Sequence, residues 1–441
     1  MQADSRAEYT FTVSKLQAQQ SRARPSYRFG DCYWFAEVQF SRRTDWHRRP
    51  NRLSASLETL RRSGRQIYDL TSANPTECGI AYPEGAIISS LSNPLSIAYQ
   101  PNPRGLLSAR EAISRYYEEK GIGVDPSNLF LTASTSEAYS LLFKLICDTG
   151  DQILIPQPSY PLFDYLSRLD DVVPVCYRLN YDLGWNIDLD SVRNGITAST
   201  RAIVIVNPHN PTGMFLKEAD YRALKKIAAE HSLALIVDEV FIDFPLDRDQ
   251  KAIPSSKVVS TTDEQEVLTF TLNGISKTAG LPQMKLGWIL VGGDRKTVAE
   301  ASGRLEILCD TFLSVNTPVQ VALPALLEAG ASVRSNILAL VRSNYTRFCE
   351  AVPTDSACSV LNCEGGWYGI LRVPRVMSDE EWSVGLLEST GVHAYPGYFF
   401  DFETDGFLVV SLVVREGIFE TAVKKLIEFV ASRTRKSSLP K

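Results

Sequence analysis

NGISKTAGLPQMKLGW, residues 273 to 288, comes directly after an apolar run from Val267 to Leu272. The run predicts a buried strand, and open α/β sheets bind their ligands beyond the carboxyl ends of their strands. Lys277 is therefore expected at a ligand-binding edge, with a second cation, Lys285, close by in the sequence. An amine among small residues there suits a carbonyl cofactor that carries a phosphate, although a solvated surface lysine is the commoner case.

Apolar runs alternate with helical patterns on both sides of this stretch. The predicted strands are residues 128–131, 152–155, 172–177, 201–206, 234–237, 267–272 and 286–291. The run from Arg201 to Val206 is apolar throughout after its first residue, as expected of a strand that is covered on both faces. The alternation predicts an α/β fold with a large domain, in which helices sandwich a mostly parallel seven-stranded sheet.

The pattern changes after about residue 320. A long helical stretch, a strand from Trp367 to Val373, a capping box from Ser378 to Glu381, another strand and a terminal helix follow. They predict a smaller α+β domain. The expected divisions are residues 1–38 as an N-terminal extension, 39–95 as an arm and part of the small domain, 96–320 as the large domain, and 321–441 as the small C-terminal domain.

Composition excludes several classes of protein. The chain has 441 residues, 44% of them apolar and 22% charged, which is typical of a soluble globular protein. Its net charge of −5 gives no basic surface for nucleic acid, and no apolar run approaches the ~20 residues that cross a bilayer. The eight cysteines form no C-x-x-C pair, so neither a zinc site nor a disulfide scaffold is expected, and a reducing, cytoplasmic location is the default.

Three predicted strands are each followed by a different polar group. After Val206 comes the rigid turn NPHNPTG, which contains Asn210; after Val237 comes Asp238; and after Leu272 comes Lys277. A pyridine that carries an aldehyde needs these three groups. The amine forms a Schiff base, a buried anion keeps the ring nitrogen protonated, and a neutral donor meets the phenolic oxygen.

With these motifs the chain resembles a class I/II aminotransferase of the fold-type I family that depends on pyridoxal 5′-phosphate. The resemblance rests on NPHNPTG, DEVF and SKTAGLPQMKLGW in that order, and it extends from about residue 39 to the C-terminus. It implies transfer of an amino group between an amino acid or amine and a 2-oxo acid, through a ping-pong cycle. It also implies a homodimer whose active sites are shared.

The resemblance assigns roles to four residues around the ring. Lys277 would form the Schiff base and then move the substrate's proton, and Asp238 would pair with the ring nitrogen. Asn210 would contact the phenolic oxygen, and Tyr160 would stack on the ring.

Further residues would hold the phosphate. Small residues before the helix that starts near Ser136 favour anions, because free backbone N–H groups and the helix dipole meet there. A simple N-cap is the competing interpretation. The phosphate contacts that the resemblance implies are Ser134, Thr135, Ser276, Lys285 and, from the neighbouring subunit, Tyr99, with Ser136 as a further candidate.

Four positions depart from the family pattern, and one of them is Lys285, which stands where an arginine is common. Phe241 stands where a tyrosine usually donates to the phenolic oxygen, and Gly274 stands where a hydroxyl residue usually contacts the phosphate. Val409 stands where an arginine usually binds the substrate's α-carboxylate. Arg104, Arg372 and Arg415 are the candidates to replace that arginine. These departures predict an atypical member of the family.

The motifs do not separate transfer from elimination. A lyase or cyclase on the same scaffold uses the same cofactor contacts, and it is the alternative enzyme. A non-catalytic regulator would need a fused DNA-binding module, and residues 1–38 have no helix-turn-helix pattern.

Overall fold

The fold is described from a computed structural model, which covers residues 38–46, 48–247 and 267–437, with only the backbone of the last three. The extension predicted for residues 1–38 lies outside the described residues, apart from Val38. The described helices are α1 Arg52–Arg62, α2 Glu84–Leu91, α3 Leu107–Glu118, α4 Thr135–Ile146, α5 Phe163–Leu169, α6 Leu189–Gly195, α7 Glu218–Glu230, α8 Ile275–Thr278, α9 Arg295–Phe312, α10 Thr317–Glu350, α11 Asp379–Thr390 and α12 Glu416–Ser437. The described strands are β1 Tyr68–Asp69, β2 Leu129–Thr132, β3 Gln152–Gln157, β4 Val173–Tyr181, β5 Trp185–Ile187, β6 Thr200–Val206, β7 Ala234–Asp238, β8 Thr269–Gly274, β9 Gly287–Gly292, β10 Ser359–Val360, β11 Tyr368–Arg372, β12 Val392–His393, β13 Tyr395–Pro396 and β14 Phe407–Ser411.

The large sheet has the strand order β2-β9-β8-β7-β6-β3-β4-β5. Strands β3, β4, β6, β7 and β8 pair in parallel, whereas β9 is antiparallel to both of its neighbours. The seven strands predicted from the sequence are all present. The sheet has an eighth strand, β5, which forms an antiparallel hairpin with β4 at the sheet edge.

Both faces of this sheet are covered, which explains the continuous apolar runs. Ile203 and Leu235 point into a core that includes Leu224 of α7. Their sequence neighbours Val204 and Ile236 point into another core on the opposite face, formed with α4 and α9. Successive side chains of a strand alternate between faces, so a strand between two cores is apolar at every position.

A second, antiparallel sheet with the order β10-β11-β14-β13 forms the centre of the smaller α+β domain. Near it, β1 pairs in parallel with β12, so a segment from the start of the chain lies against residues more than 300 positions later. Helix α11 begins with the predicted capping box, in which Ser378 and Glu381 each bond the other's backbone N–H.

Helix α10 packs against α2, α3 and α8 on one side of the molecule and against α12 in the smaller domain. It begins at Thr317 and ends at Glu350, so residue 320 lies inside a continuous helix. Gly330 is required there, since a Cβ at this position would lie 2.3 Å from the Cβ of Ala279, just after α8. Arg334 donates to the carbonyl oxygen of Thr278 at 3.0 Å. The helix is therefore in direct contact with the segment that carries Lys277.

Candidate active site

Asp238 is the last residue of β7, near the centre of the large sheet, and it is buried. Its Oδ1 accepts a hydrogen bond from the backbone N–H of Val240 at 3.0 Å, and its Oδ2 accepts one from the Tyr139 hydroxyl at 3.1 Å. Burial raises the pKa of Asp238 to about 6. The two hydrogen bonds and the Lys277 charge lower this pKa, but burial has the larger effect. The carboxylate is thus charged at neutral pH in a place that strongly favours a cationic partner.

Lys277 lies on the short helix α8, directly after β8. Its Nζ is 4.5 Å from the ring centroid of Trp367 and 5.7 Å from that of Phe241. Burial lowers the pKa of Lys277 to about 8; the charge of Asp238 opposes this shift and that of Lys285 adds to it. Asp238 pairs with Leu272 of the neighbouring strand β8, which Lys277 follows by five residues, so the amine and the carboxylate lie at the same edge of the sheet.

The turn NPHNPTG places Asn210 in the same region. Asn210 is buried, and its Oδ1 has no hydrogen-bond partner among the described residues. Gly213 closes the turn with a φ of +70°, where a Cβ would lie 2.0 Å from the Sγ of Cys363. The backbone N–H of Leu216 donates to Asn207 at 3.0 Å and fixes the other end of the segment. The turn is therefore rigid, and it leaves an amide available to a ligand.

Ser134 is the N-cap of α4, as the competing interpretation of this segment predicted. Its Oγ accepts a hydrogen bond from the backbone N–H of Glu137 at 3.1 Å. Thr135 is the first residue of the helix. The hydroxyl proton of Ser134 is not used by the cap, so the same side chain can still donate to an anion at this helix end.

A pair of glycines explains why Gly274 carries no hydroxyl side chain. Gly274 and Gly287 face each other across β8 and β9. A Cβ at Gly274 would lie 3.0 Å from the Cα of Gly287, and one at Gly287 would lie 3.3 Å from the backbone carbon of Ser134. The backbones approach so closely here that a side chain at residue 274 would push β9 towards Ser134. Ser276 and Lys285 flank this contact, with Lys285 exposed and in the left-handed conformation at φ 54°.

A cleft of about 720 Å³ opens beside these residues. Ser136 and Tyr160 line it from the large domain, and Tyr368 and Phe400 line it from the smaller one. The Tyr160 ring is 43% exposed at the wall of the cleft. Tyr368 follows Trp367, whose ring is in contact with the Lys277 amine. Lys277 and Asp238 are not among the residues that line the cleft, which adjoins their site at Trp367 and Tyr368.

Val409 contributes no charge to this cleft. It is completely buried, and it pairs with Ile370 on one side and Tyr395 on the other. Its apolar cluster includes Phe399 and Phe400, which line the cleft. The position where related enzymes are expected to carry a guanidinium is thus filled by apolar and aromatic side chains.

The three arginines considered as replacements do not line the cleft. Arg104 pairs with Glu306 at 2.5 Å and lies over the ring of Phe130. Arg415 donates from Nε to the carbonyl oxygen of Glu77 at 3.2 Å, and Arg372 is exposed at the end of β11. The arginine that does line the cleft is Arg61, from the last turn of α1, which sequence reasoning missed.

Tyr99 lies away from Lys277 within this chain. It is 78% exposed and lines a small surface pocket together with Phe312 and Leu313. Tyr99 makes no described contact with Lys277 or Asp238 and does not line the cleft.

Sequence reasoning missed two further neighbours of the charged pair, Tyr139 and Trp367. Tyr139 lies one helical turn after Thr135 on α4, so the register of a helix that starts at the anion-binding segment could have identified it. Trp367 comes from the distant end of the chain, and no local signal indicates its contact with Lys277. The described residues contain no cluster of side chains suited to a metal ion, and none of their helices is long and apolar enough to cross a membrane.

Comparisons with known proteins place the chain in one family and one fold. The pattern of the family described as aminotransferase class I and II matches residues 91–426. A glutamate-pyruvate aminotransferase of Haemophilus influenzae is 27% identical over 84% of this chain and 92% of its own length. A tyrosine aminotransferase of Dictyostelium discoideum is 26% identical over 80% of this chain and 86% of its own length. The crystal structure of an Escherichia coli aminotransferase has the same fold, with a TM-score of 0.78, 24% identity, and coverage of 89% of this chain and 98% of that one.

Proposed function

The chain belongs to the class I and II aminotransferases, and we propose that Lys277 and Asp238 are the groups around which it binds its cofactor and transfers the amino group. The observation that carries this proposal is the convergence of one amine and one carboxylate, from the ends of β8 and β7, on a single site. The enzyme moves an amino group between an amino compound and a 2-oxo acid.

The residues present fit pyridoxal 5′-phosphate. Asp238 supplies a buried anion for a protonated ring nitrogen, and Nδ2 of the buried Asn210 would donate to a phenolic oxygen. Tyr160 supplies an aromatic ring at the cleft wall. When bound, the cofactor supplies an aldehyde that captures the substrate amine and a ring that withdraws electrons from the substrate's α-carbon.

The phosphate would lie at the start of α4. Ser134, Thr135 and Ser276 offer hydroxyl donors, and Lys285 offers a cation. A lysine there acts as a point charge, whereas an arginine would bind a phosphate in a bidentate manner.

Lys277 would act as the base that moves the substrate's α-proton. An amine can accept a proton only when it is neutral, and the pKa of about 8 makes a useful fraction neutral near pH 7. The rings of Trp367 and Phe241 exclude water from the amine and limit its movement. Phe241 has no hydroxyl, so Asn210 is left as the donor to the phenolic oxygen.

This pKa predicts the pH dependence of cofactor capture. The rate at which cofactor-free enzyme takes up pyridoxal 5′-phosphate should rise about tenfold per pH unit below pH 8 and level off above it, because only the neutral amine attacks the aldehyde. Stopped-flow absorbance measures this rate. A rate that keeps rising through pH 10 would show an ordinary lysine and contradict the assignment.

We also propose a homodimer whose partner subunit contributes Tyr99. The segment from Ile88 to Leu107 exposes large apolar side chains, among them Leu95, Ile97 and Tyr99, which are 67%, 89% and 78% exposed. Phe312 and Leu313 of α9 share a surface pocket with Tyr99 and extend the same apolar area. Patches of this kind are typical of an interface, and a second copy would cover this one while bringing Tyr99 to a phosphate.

Ile97→Glu should therefore convert the dimer to a monomer and weaken cofactor binding at least about tenfold, because a buried unpaired charge is costly at an interface. Light scattering gives the mass, and absorbance titration gives the cofactor affinity. Leu183→Glu is the matched control, since Leu183 is 91% exposed in the β4–β5 turn. A dimer that survives Ile97→Glu with unchanged cofactor affinity would refute the shared site.

A half-reaction tests transfer against elimination, the alternative that the motifs left open. The relatives are named as aminotransferases, and alanine and glutamate are the first donors to test because of the names that those relatives carry. With donor but without acceptor, transfer should release one equivalent of 2-oxo acid per site and no ammonia. Continued release of 2-oxo acid and ammonia under these conditions would establish elimination.

A further inference from the structure

Asp69 presents a carboxylate to the cleft that no step of amino transfer uses. It lies on β1, directly opposite His393 of β12, and both residues line the cleft. Its Oδ1 accepts hydrogen bonds from the backbone N–H of Thr71 at 2.8 Å and the Thr71 hydroxyl at 2.6 Å, and it is 3.3 Å from Nδ1 of His393. The carboxylate is thus fixed in position by a rigid set of neighbours.

The contacts of Asp69 leave one oxygen available. Oδ2 has no hydrogen-bond partner among the described residues, and 33% of the Asp69 side chain is exposed, against 5% of His393. Burial alone would raise the pKa of Asp69, but the bonds from His393 and Thr71 lower it to about 2. A permanently charged oxygen therefore faces the cleft.

Aromatic rings surround this charge. Six of the residues that line the cleft are aromatic: Tyr160, Tyr165, Tyr368, Tyr395, Phe399 and Phe400. The ring of Tyr395 lies between that of His393, at 6.2 Å, and that of Phe400, at 5.7 Å. The faces of aromatic rings attract cations, and a neighbouring carboxylate strengthens that attraction.

The other charged groups of the cleft leave Oδ2 of Asp69 available, because the His393 ring contacts Oδ1. Glu77 adds a second carboxylate, and Arg61, the one guanidinium among the described lining residues, has an interaction partner of its own. Val409 adds no cation where related enzymes are expected to have one.

We propose that Asp69 recognises a second, distal cationic group on the amino substrate, so that the enzyme accepts a diamine or a basic amino acid. The distal ammonium or guanidinium would contact Oδ2 of Asp69 and lie against the Tyr395 ring, while the reacting amine reaches Lys277. This assignment rests on the proposed function of the same site and names its substrate class. His393 and Thr71 are positioning residues, because they act through Asp69.

The first test measures binding of a cation that does not react with the cofactor. Propylguanidine and the nearly isosteric neutral propylurea are titrated calorimetrically into the holoenzyme. The wild type should bind propylguanidine at least about tenfold more tightly, as expected for a charge-assisted hydrogen bond. Asp69→Asn should remove this difference, while the affinity for propylurea stays the same. Equal binding of the two probes by the wild type, or an undiminished preference in Asp69→Asn, would overturn the proposal.

Two variants separate recognition from folding. Asp182→Asn, in the exposed β4–β5 turn, is the matched control and should keep the preference for propylguanidine. Tyr395→Leu should weaken propylguanidine binding about three- to tenfold by removing an aromatic face, and Tyr395→Phe should restore it. Equal losses in Tyr395→Leu and Tyr395→Phe would contradict the role of the ring.

A second experiment distinguishes this proposal from the proposed function. L-lysine and L-norleucine, which differ in the terminal ammonium group, are compared as amino donors. We expect a KM at least about tenfold lower for L-lysine in the wild type, and equal KM values in Asp69→Asn. Amino transfer from both donors with equal KM in the wild type would refute the role of Asp69 but not the proposed function. Absence of transfer from every donor, with cofactor bound, would refute the proposed function.

Discussion

Lys277→Ala is expected to abolish both the visible absorption of bound cofactor and amino transfer. Lys285, the other lysine of this region, is exposed and lies in a separate turn, where its proposed contact is the phosphate. The loss in kcat should be about 10⁵-fold or more, the scale seen when a catalytic nucleophile is removed. Absorbance between 300 and 500 nm (roughly the range of conjugated pyridine chromophores) and a coupled assay measure the two effects.

Lys226→Ala is the control for this substitution. Lys226 is an exposed residue of α7 whose Nζ is 3.9 Å from Glu230, so its loss should change neither the absorption nor the rate. If Lys277→Ala retained a few per cent of the wild-type rate, the proposed role of Lys277 would be wrong.

Asp238→Asn should have opposite effects on stability and activity. Asparagine keeps an oxygen that accepts from Val240 and a side chain that pairs with the Tyr139 hydroxyl, but it carries no charge. Without an anion for the ring nitrogen, kcat should fall about 10²- to 10³-fold, as when one preorganised electrostatic contact is lost. Cofactor affinity should fall as well.

The cofactor-free protein should meanwhile become more stable by about 3 kcal/mol at pH 8, because a buried charge is removed. The pKa of Asp238 is raised from 3.8 to about 6 by folding, so the folded state binds the proton more tightly and the ionised carboxylate destabilises it. The gain from asparagine should therefore be complete above pH 6 and vanish as the pH falls towards 4. Thermal unfolding across this pH range measures the gain in stability. A variant that is less stable than the wild type at pH 8 would show that the ionised Asp238 does not destabilise the folded protein.

The central features of the site could be predicted because each is local. Asp238 and Lys277 come directly after strands that are apolar at every position, and such strands end at a common edge of a parallel sheet. The loop that was expected to carry Lys277 is a single helical turn, α8, a difference too short for periodicity to detect. Strand β5 was missed because its three residues are held by pairing with β4, and a short edge hairpin leaves a weak pattern.

The walls of the cleft could not be predicted, because they are built from contacts between distant parts of the chain. Asp69 and His393 are more than 300 residues apart, and each looks like an ordinary surface residue in its own segment. Trp367, 90 residues after Lys277 in the sequence, contacts the Lys277 amine with its ring. Substrate specificity therefore depends on tertiary contacts that a single sequence does not reveal, whereas cofactor chemistry depends on short motifs.

Helix α10 has a mechanical consequence. It is a rod about 50 Å long, and at Gly330 and Arg334 it bears directly on Ala279 and Thr278, while its far end is anchored to the terminal helix α12. A side chain added at Gly330 would therefore clash with Ala279 and displace the segment that carries Lys277, although Gly330 does not line the cleft. The same helix joins the segment that carries Lys277 to the terminal helix α12, so a displacement of α10 would move both.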